Sequence, residues 1–484
     1  MELSNLKQKA IKGVFWSFLE RFGSLAILFS SNIVLARLLT PQHYGLIGML
    51  MVFITVSAIL IDGGFGSALI QRKEPTNEDY STIFWINISI ATICYLILFS
   101  TAQLIADFYN QESLEILIKV LGIMLIIDAF GTVQINILVK QLIFKKITKI
   151  KISVAFLSSL AAIIAALCGL GVWSLVIQYI ANSTFKSMFL WVGTTWHPSF
   201  IFSKDSLKTL FGFGSKLLVA GLISEIYRNF QILIIGKLFP VKEVGYFTQA
   251  KQLETVPSNT ISAVVNQVTY PVFSQLQDNK GDLVAGISRC VKIVAFFNIP
   301  TMVLLAVIAK PLLIMLYSEK WLPSVPYFQW LCIGFGLLLV IHTTNLNALK
   351  SVGRSEVVLY LEIIKKILGL SFIFLFVKYG AIGIMWALAL NSYIEFFLNG
   401  FFTGKYVGYG IWKQMQHIVP ILFISFISGL VAYSLTYIPS IHYIILLILQ
   451  IIIFVFMYIG ISYLFKMETF KYLLCELERL KKNR

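Results

Sequence analysis

The residues of this chain that could do chemistry are charged side chains set inside long apolar stretches. Glu20 and Arg21 lie early in one such stretch, and Asp62 lies late in the next. Glu225 and Arg228 stand three residues apart near the middle of another, and Lys251 and Glu254 repeat that spacing. Glu362, Lys365 and Lys366 follow at intervals of three and four, while Asn391 pairs with Glu395 and His342 with Asn345 at the same spacings. On a helix such residues share one face. Charged groups are costly in a bilayer and normally turn toward an interior cavity, so each is a functional candidate. Arginine stays charged and its planar fork matches phosphate, which makes Arg21 and Arg228 candidate phosphate ligands. Glu20, Asp62, Glu225, Glu254, Glu362 and Glu395 are read as groups for ion coupling or for charge pairing. The plainer reading of each close pair is an ion pair that neutralises itself, and for Lys251/Glu254 and Glu362/Lys365 both readings stand. Asp62 precedes Gly63-Gly64, so capping a helix break is its alternative role; Asp128 is a similar case.

The elements that position these groups are predicted membrane helices. Of 484 residues, 58% are hydrophobic and 13% charged, against about 25% charged in soluble domains. Mean hydropathy is +0.83. A spanning helix needs about 20 mainly apolar residues. Fourteen windows qualify: 13–39, 44–70, 81–106, 114–139, 152–171, 173–193, 206–239, 244–273, 288–316, 325–349, 356–378, 380–404, 415–437 and 441–465. The predicted class is an all-α integral membrane protein. Lys7, Lys9 and Lys12 lead straight into a helix too long for a signal peptide, so no cleaved leader is expected.

The net charge of +16 is distributed as membrane topology requires. Lys140, Lys145, Lys146, Lys149 and Lys151 cluster between two spans on the side of the N-terminus, and six more cations lie in the tail from Lys466. The opposite side holds only Arg37, Lys119, Lys237, Lys242, Lys310, Lys320 and Lys378. This positive-inside bias places both termini in the cytoplasm and makes the span count even. No soluble segment is long enough for a basic nucleic-acid-binding surface. The tail KMETFKYLLCELERLKKNR reads as a short amphipathic helix with basic ends at the inner interface.

Motifs for other chemistries are missing from the sequence. Cys94, Cys168, Cys290, Cys332 and Cys475 are scattered, with no CxxC and no metal spacing. No GxSxG, HExxH, EF-hand or Walker A pattern occurs, so no catalytic residues, metal or cofactor are expected. GFG occurs at 64–66, 212–214 and 334–336 without completing GxGxxG, and Gly400, Gly404 and Gly408 form GxxxG steps that predict close helix packing.

The chain also repeats itself. Ala36-Arg37-Leu38-Leu39-Thr40-Pro41-Gln42-His43-Tyr44-Gly45 returns as Gly236-Lys237-Leu238-Phe239-Pro240-Val241-Lys242-Glu243-Val244-Gly245. Each copy ends one apolar helix and opens another, which predicts two six-helix lobes in parallel orientation. The expected division is 1–200, 201–405 and an addition, 406–484, holding the last two spans and the tail.

Further blocks carry a resemblance. Arg37 to Pro41, Tyr44 to Met49, Asp62-Gly63-Gly64-Phe65-Gly66 and Ala68 to Arg72, with the looser blocks Asn266 to Gln277 and Trp321-Leu322-Pro323, resemble the Wzx-type polysaccharide flippases of the MOP superfamily. The likeness is to the branch of lipopolysaccharide biosynthesis proteins and colanic or teichuronic acid exporters. The resemblance implies a MATE-like fold and a non-enzymatic flippase of the bacterial inner membrane. Its cargo would be an undecaprenyl-pyrophosphate-linked oligosaccharide, moved between leaflets by alternating access for surface polysaccharide synthesis. The family's cationic cavity would draw its charge from Arg21, Arg228, Lys251 and Lys365, with Asn345 and Asn391 as further substrate contacts. A proton or sodium ion is the expected coupling ion, membrane lipids surround the chain, a polysaccharide polymerase is a possible partner, and a monomer is expected. A cation-coupled drug antiporter, a lipid II flippase and a membrane polymerase or ligase are the competing readings. Antiporters usually have twelve helices and a carboxylate-dominated cavity; polymerases carry a large outside loop, and here the longest runs only from about Lys310 to Val325.

Overall fold

A computed structural model describes residues 2–439, 441–472, 475 and 478. The described residues are helical almost throughout and contain no β-strand. Where no water is present, a chain must satisfy its backbone groups internally, and a helix does so within each segment. All fourteen predicted windows are helices. Eleven helical stretches among the described residues are long and apolar enough to cross a membrane. The windows 173–193, 244–273 and 356–378 are helices that fall short in apolar character, the last because it carries Glu362, Lys365 and Lys366. The part of the predicted tail helix at 473–474, 476–477 and 479–484 lies outside the described residues, as do the side chains of Lys7 and Lys9.

The chain forms two compact units, 1–245 and 246–484. The first holds α1 (Glu2–Leu38), α2 (Pro41–Asp62), α3 (Phe65–Gln71), α4 (Asn77–Tyr109), α5 (Ser113–Leu121), α6 (Ile123–Lys140), α7 (Phe144–Leu167), α8 (Trp173–Gly193) and α9 (Lys204–Leu238). Here α1 packs on α7, α7 on α8, and α6 on both α8 and α4. Helix α9 packs on α2, α3 and α4. Phe65, Leu69, Phe84, Val133, Ile137 and Leu210 form one apolar cluster beneath that contact.

Local signals account for the helix ends. Gly63 and Gly64 take φ values of 55° and 71°, which only glycine adopts at little cost, and so break α2 from α3. Thr76 and Asp79 form a reciprocal capping box at the start of α4, with the Asp79 carboxylate accepting the Thr76 amide at 2.8 Å.

In the second unit α10 (Val241–Leu276) leads into α11 (Lys280–Val307), α12 (Ala309–Tyr317), α13 (Ser324–Trp330), α14 (Leu337–Ser351), α15 (Ser355–Phe376), α16 (Ala381–Val407), α17 (Ile411–Ser434) and α18 (Tyr443–Leu464). Between α13 and α14 the chain winds as a π-helix, Leu331–Gly336. Asn298 of α11, fully buried, donates its amide to the carbonyls of Gly336 at 3.0 Å and Leu337 at 2.9 Å. Asn298→Ala would remove both of these bonds from the buried core. It should cost about 1–3 kcal/mol in thermal or denaturant unfolding, where Asn298→Asp should not rescue because the carboxylate cannot donate.

The GxxxG steps pack as predicted. A Cβ on Gly400 would meet Ile411 at 2.8 Å, and one on Gly404 would meet the Cα of Gly410 at 2.6 Å, so these glycines seat the start of α17. Helix α18 has mean hydropathy 3.0 over its span, yet only 22% of its apolar window is buried. An element apolar all round and so little covered is one that faces lipid.

Candidate functional site

The two copies of the repeat meet each other within the first unit. A Cβ on Gly45 would lie 2.1 Å from the carbonyl oxygen of Val241, and one on Gly245 would lie 1.9 Å from that of Pro41. Pro41 and Val241 occupy the same repeat position, as do Gly45 and Gly245. The contact is therefore reciprocal, each glycine receiving the other copy's helix start. Lys237 donates to the Phe108 carbonyl at 2.5 Å and lies 4.5 Å over the ring of the same residue.

A second close approach joins two of the GFG triplets. Gly64 abuts Gly214, where a Cβ would sit 2.4 Å from the Gly214 carbonyl oxygen. The α2–α3 break thus lies backbone to backbone on α9. The carboxylate of Asp62 lies at the α2–α3 break, toward the backbone of Gly64 and Gly66. Its Oδ1 and the amide of Asn136 both lie against Gly66.

Glu20, Glu225 and Asp128 of this unit are each paired with a cation. Glu20 of α1 receives Lys151 of α7 at 3.0 Å. Glu225, with 7% of its side chain exposed, binds Arg228 one turn on, and Asn229 donates to its other oxygen at 2.7 Å. The Arg228 side chain is 67% exposed even as its guanidinium holds Glu225. Arg21 is likewise exposed. Asp128 of α6 pairs with Lys186 of α8 at 2.5 Å and accepts the Ser183 hydroxyl at 3.0 Å.

In the second unit, Lys251 lies 5.4 Å over the ring of Phe247, and the buried Glu254 accepts the hydroxyl of Ser258. Gly336 of the third GFG triplet leaves room for that carboxylate, since a Cβ there would lie 2.7 Å from Glu254 Oε1. Glu362 and Lys365 form the local pair, 2.5 Å apart, with the Lys365 side chain only 4% exposed. Next to them Asn391 donates to Glu395 at 2.7 Å, and His342 Nδ1 lies 3.6 Å from the other Glu395 oxygen. Glu395 is also attracted by Lys365, so α14, α15 and α16 bring His342, Lys365 and Glu395 into one polar cluster. Asn345 does not join it: its amide and that of Gln414 on α17 form two mutual bonds of 3.0 Å. Asn347 donates to Asn266 and Thr269 of α10, both at 2.9 Å.

Sequence reasoning located these charges but missed most of their long-range partners. Lys151 and Gln414 are common residue types in polar positions, and nothing local marks them. His342 does carry a signal, a lone histidine in an apolar window, beyond its spacing to Asn345. Its Nε2 is buried with no hydrogen-bond partner.

With the two repeat copies and the paired charges placed, comparison with known proteins becomes decisive. A family described as polysaccharide biosynthesis protein matches residues 34–326. The chain belongs to that family. Both repeat copies lie inside the matched stretch, whereas Lys365, Asn391 and Glu395 lie beyond it. The chain is similar to the teichuronic acid biosynthesis protein TuaB of Bacillus subtilis (strain 168), 28% identical over 382 residues, 78% of this chain and 79% of that protein. It is also similar to the lipopolysaccharide biosynthesis protein WzxC of Escherichia coli (strain K12), 24% identical over 438 residues, 88% and 89% of the two chains. Its fold is similar to that of the lipid II flippase MurJ in an inward closed conformation, with TM-score 0.75 at 16% identity over 93% of this chain and 98% of that one.

Proposed function

We propose that this protein is a flippase that carries an undecaprenyl-pyrophosphate-linked oligosaccharide from the inner to the outer leaflet of the bacterial inner membrane, for surface polysaccharide biosynthesis. The observation that carries this reading is family membership over 34–326, joined to relatives named for teichuronic acid and lipopolysaccharide biosynthesis. The MurJ-like fold supports it independently. A pyrophosphate cannot cross hydrocarbon bare, so its path needs cations to replace hydration. Arg21 and Arg228 are our leading candidates, because both expose their guanidinium side chains. Lys251, Lys365 and Asn391 are proposed as further contacts; Asn345 is proposed only if its bond to Gln414 opens during the cycle. Glu20, Asp62, Glu225, Glu254, Glu362 and Glu395 are the proposed sites of a coupling proton or sodium ion.

The working units of alternating access are proposed as 1–200 and 201–405, with 406–484 as an addition. Both termini face the cytoplasm in this reading, the protein acts as a monomer, and it delivers its product to a polysaccharide polymerase. The test is a lipid extract of a deletion strain, read by mass spectrometry. Accumulation of one polyprenyl-pyrophosphate oligosaccharide, with loss of the matching surface glycan, supports the flippase and names its cargo. An unchanged lipid pool in a strain lacking every other exporter overturns it. In the same assay Arg228→Ala should cut export about tenfold, as loss of a charge-assisted contact would. Full export by that variant would remove Arg228 from the phosphate path.

A further inference from the structure

The start of α11 and the segment that follows α18 line an open pocket of about 340 Å³. Ser288, Arg289 and Lys292 line it from α11; Glu468, Thr469 and Tyr472 line it from a helical turn at 468–472. Lys292 Nζ lies 2.6 Å from Glu468, and the Arg289 guanidinium stands 4.9 Å over the ring of Tyr472. The pocket thus holds two cations, one carboxylate and three hydroxyls. It sits where the apolar run of α18 stops, next to the exposed Leu464 and Phe465. That is the level of a membrane–water interface.

Phe470, in the same turn, points the other way. Its ring lies 6.3 Å from Phe296 and 6.4 Å from Tyr463. It borders a groove along α18, from Ile451 to Tyr463, whose lining is almost wholly apolar. One helical turn therefore separates a cationic pocket from an apolar channel. We propose that this pocket binds the phosphodiester head group of an anionic phospholipid, with an acyl chain lying along the α18 groove. Arg289 and Lys292 hold the phosphate, and the hydroxyls of Ser288, Thr469 and Tyr472 are within the same cavity. The groove sets a lipid apart from a free phosphate ion, which has no use for it.

Glu468 is the built-in competitor. Its side chain is 83% exposed, and the Lys292 ammonium holds its carboxyl below the usual carboxylate range, so it stays ionised at neutral pH. A lipid phosphate must displace it from Lys292. Removing its charge should therefore strengthen lipid binding rather than weaken it.

The test uses the purified full-length protein, titrated with phosphatidylglycerol, phosphatidylcholine or inorganic phosphate and read by native mass spectrometry. This readout does not depend on what the protein transports. Phosphatidylglycerol should bind more tightly than phosphatidylcholine. Arg289→Ala and Lys292→Ala should each weaken it by about fivefold, the value of one cation near an anionic surface. Glu468→Gln should tighten it, and this exposed substitution keeps the test decisive if an alanine variant does not fold. Equal binding of the two lipids, or Glu468→Gln binding no better than wild type, overturns the proposal. So does inorganic phosphate competing as well as phosphatidylglycerol, which would assign the pocket to the free ion.

Discussion

Gly45→Ala and Gly245→Ala should each destabilise the protein by about 1–3 kcal/mol, and the double variant should lose less than their sum. A methyl at either position lands on a backbone carbonyl, 2.1 Å from Val241 oxygen in one case and 1.9 Å from Pro41 oxygen in the other. Neither carbonyl belongs to a side chain that can swing aside, so the two helix starts must separate. Because the contact is reciprocal, the first methyl already opens the space that the second needs. Thermal unfolding of the four proteins in detergent reads this directly. Strict additivity would mean that the two glycines do not share one contact. Gly212→Ala is the control: nothing lies within 4 Å of its Cβ position, so it should be neutral or slightly stabilising.

Lys365→Met should be the most damaging single charge removal, on the order of 3 kcal/mol. Its ammonium is buried, lies 2.5 Å from Glu362 and also attracts Glu395. Deleting it leaves Glu362 without its cation and takes a weaker attraction from Glu395, which keeps Asn391 and His342. Glu362 keeps 38% of its side chain exposed, which holds the cost at the lower end of what a broken buried pair incurs. Lys365→Met/Glu362→Gln removes the orphaned charge on Glu362 and should recover at least half of the lost stability. Export then separates two roles. If the double variant is stable but does not export, the cargo needs the Lys365 charge itself. If export returns with stability, Lys365 is a structural cation and leaves the proposed phosphate path. A Lys365→Met protein as stable as wild type would show that the pair holds nothing together.

The glycines illustrate what could be read early and what could not. The repeat was legible as two similar strings 200 positions apart, and it placed Gly45 and Gly245 as equivalents. That the two copies touch each other was not legible, because no pattern within either copy says what its glycine faces. The GFG triplets do not complete a nucleotide-loop pattern, and their use as landing sites for Gly214 and for the Glu254 carboxylate emerged only from packing. The third also sits in a π-helix, and Asn298 from another helix bonds the carbonyls of Gly336 at its end and of Leu337 just after it.

Sequence alone determined the class of this protein, its helices and its local charge pairs. A bilayer offers no water to backbone groups, so an apolar run of sufficient length has one outcome, a helix. Helix geometry then makes residues three apart neighbours, which is why Glu225 with Arg228 and Glu362 with Lys365 could be foreseen as pairs. Tertiary structure alone decided Glu20 with Lys151, Asp128 with Lys186, Asn345 with Gln414 and His342 with Glu395. Each joins two helices, and which faces meet depends on how many side chains interlock at once rather than on any residue's own neighbours.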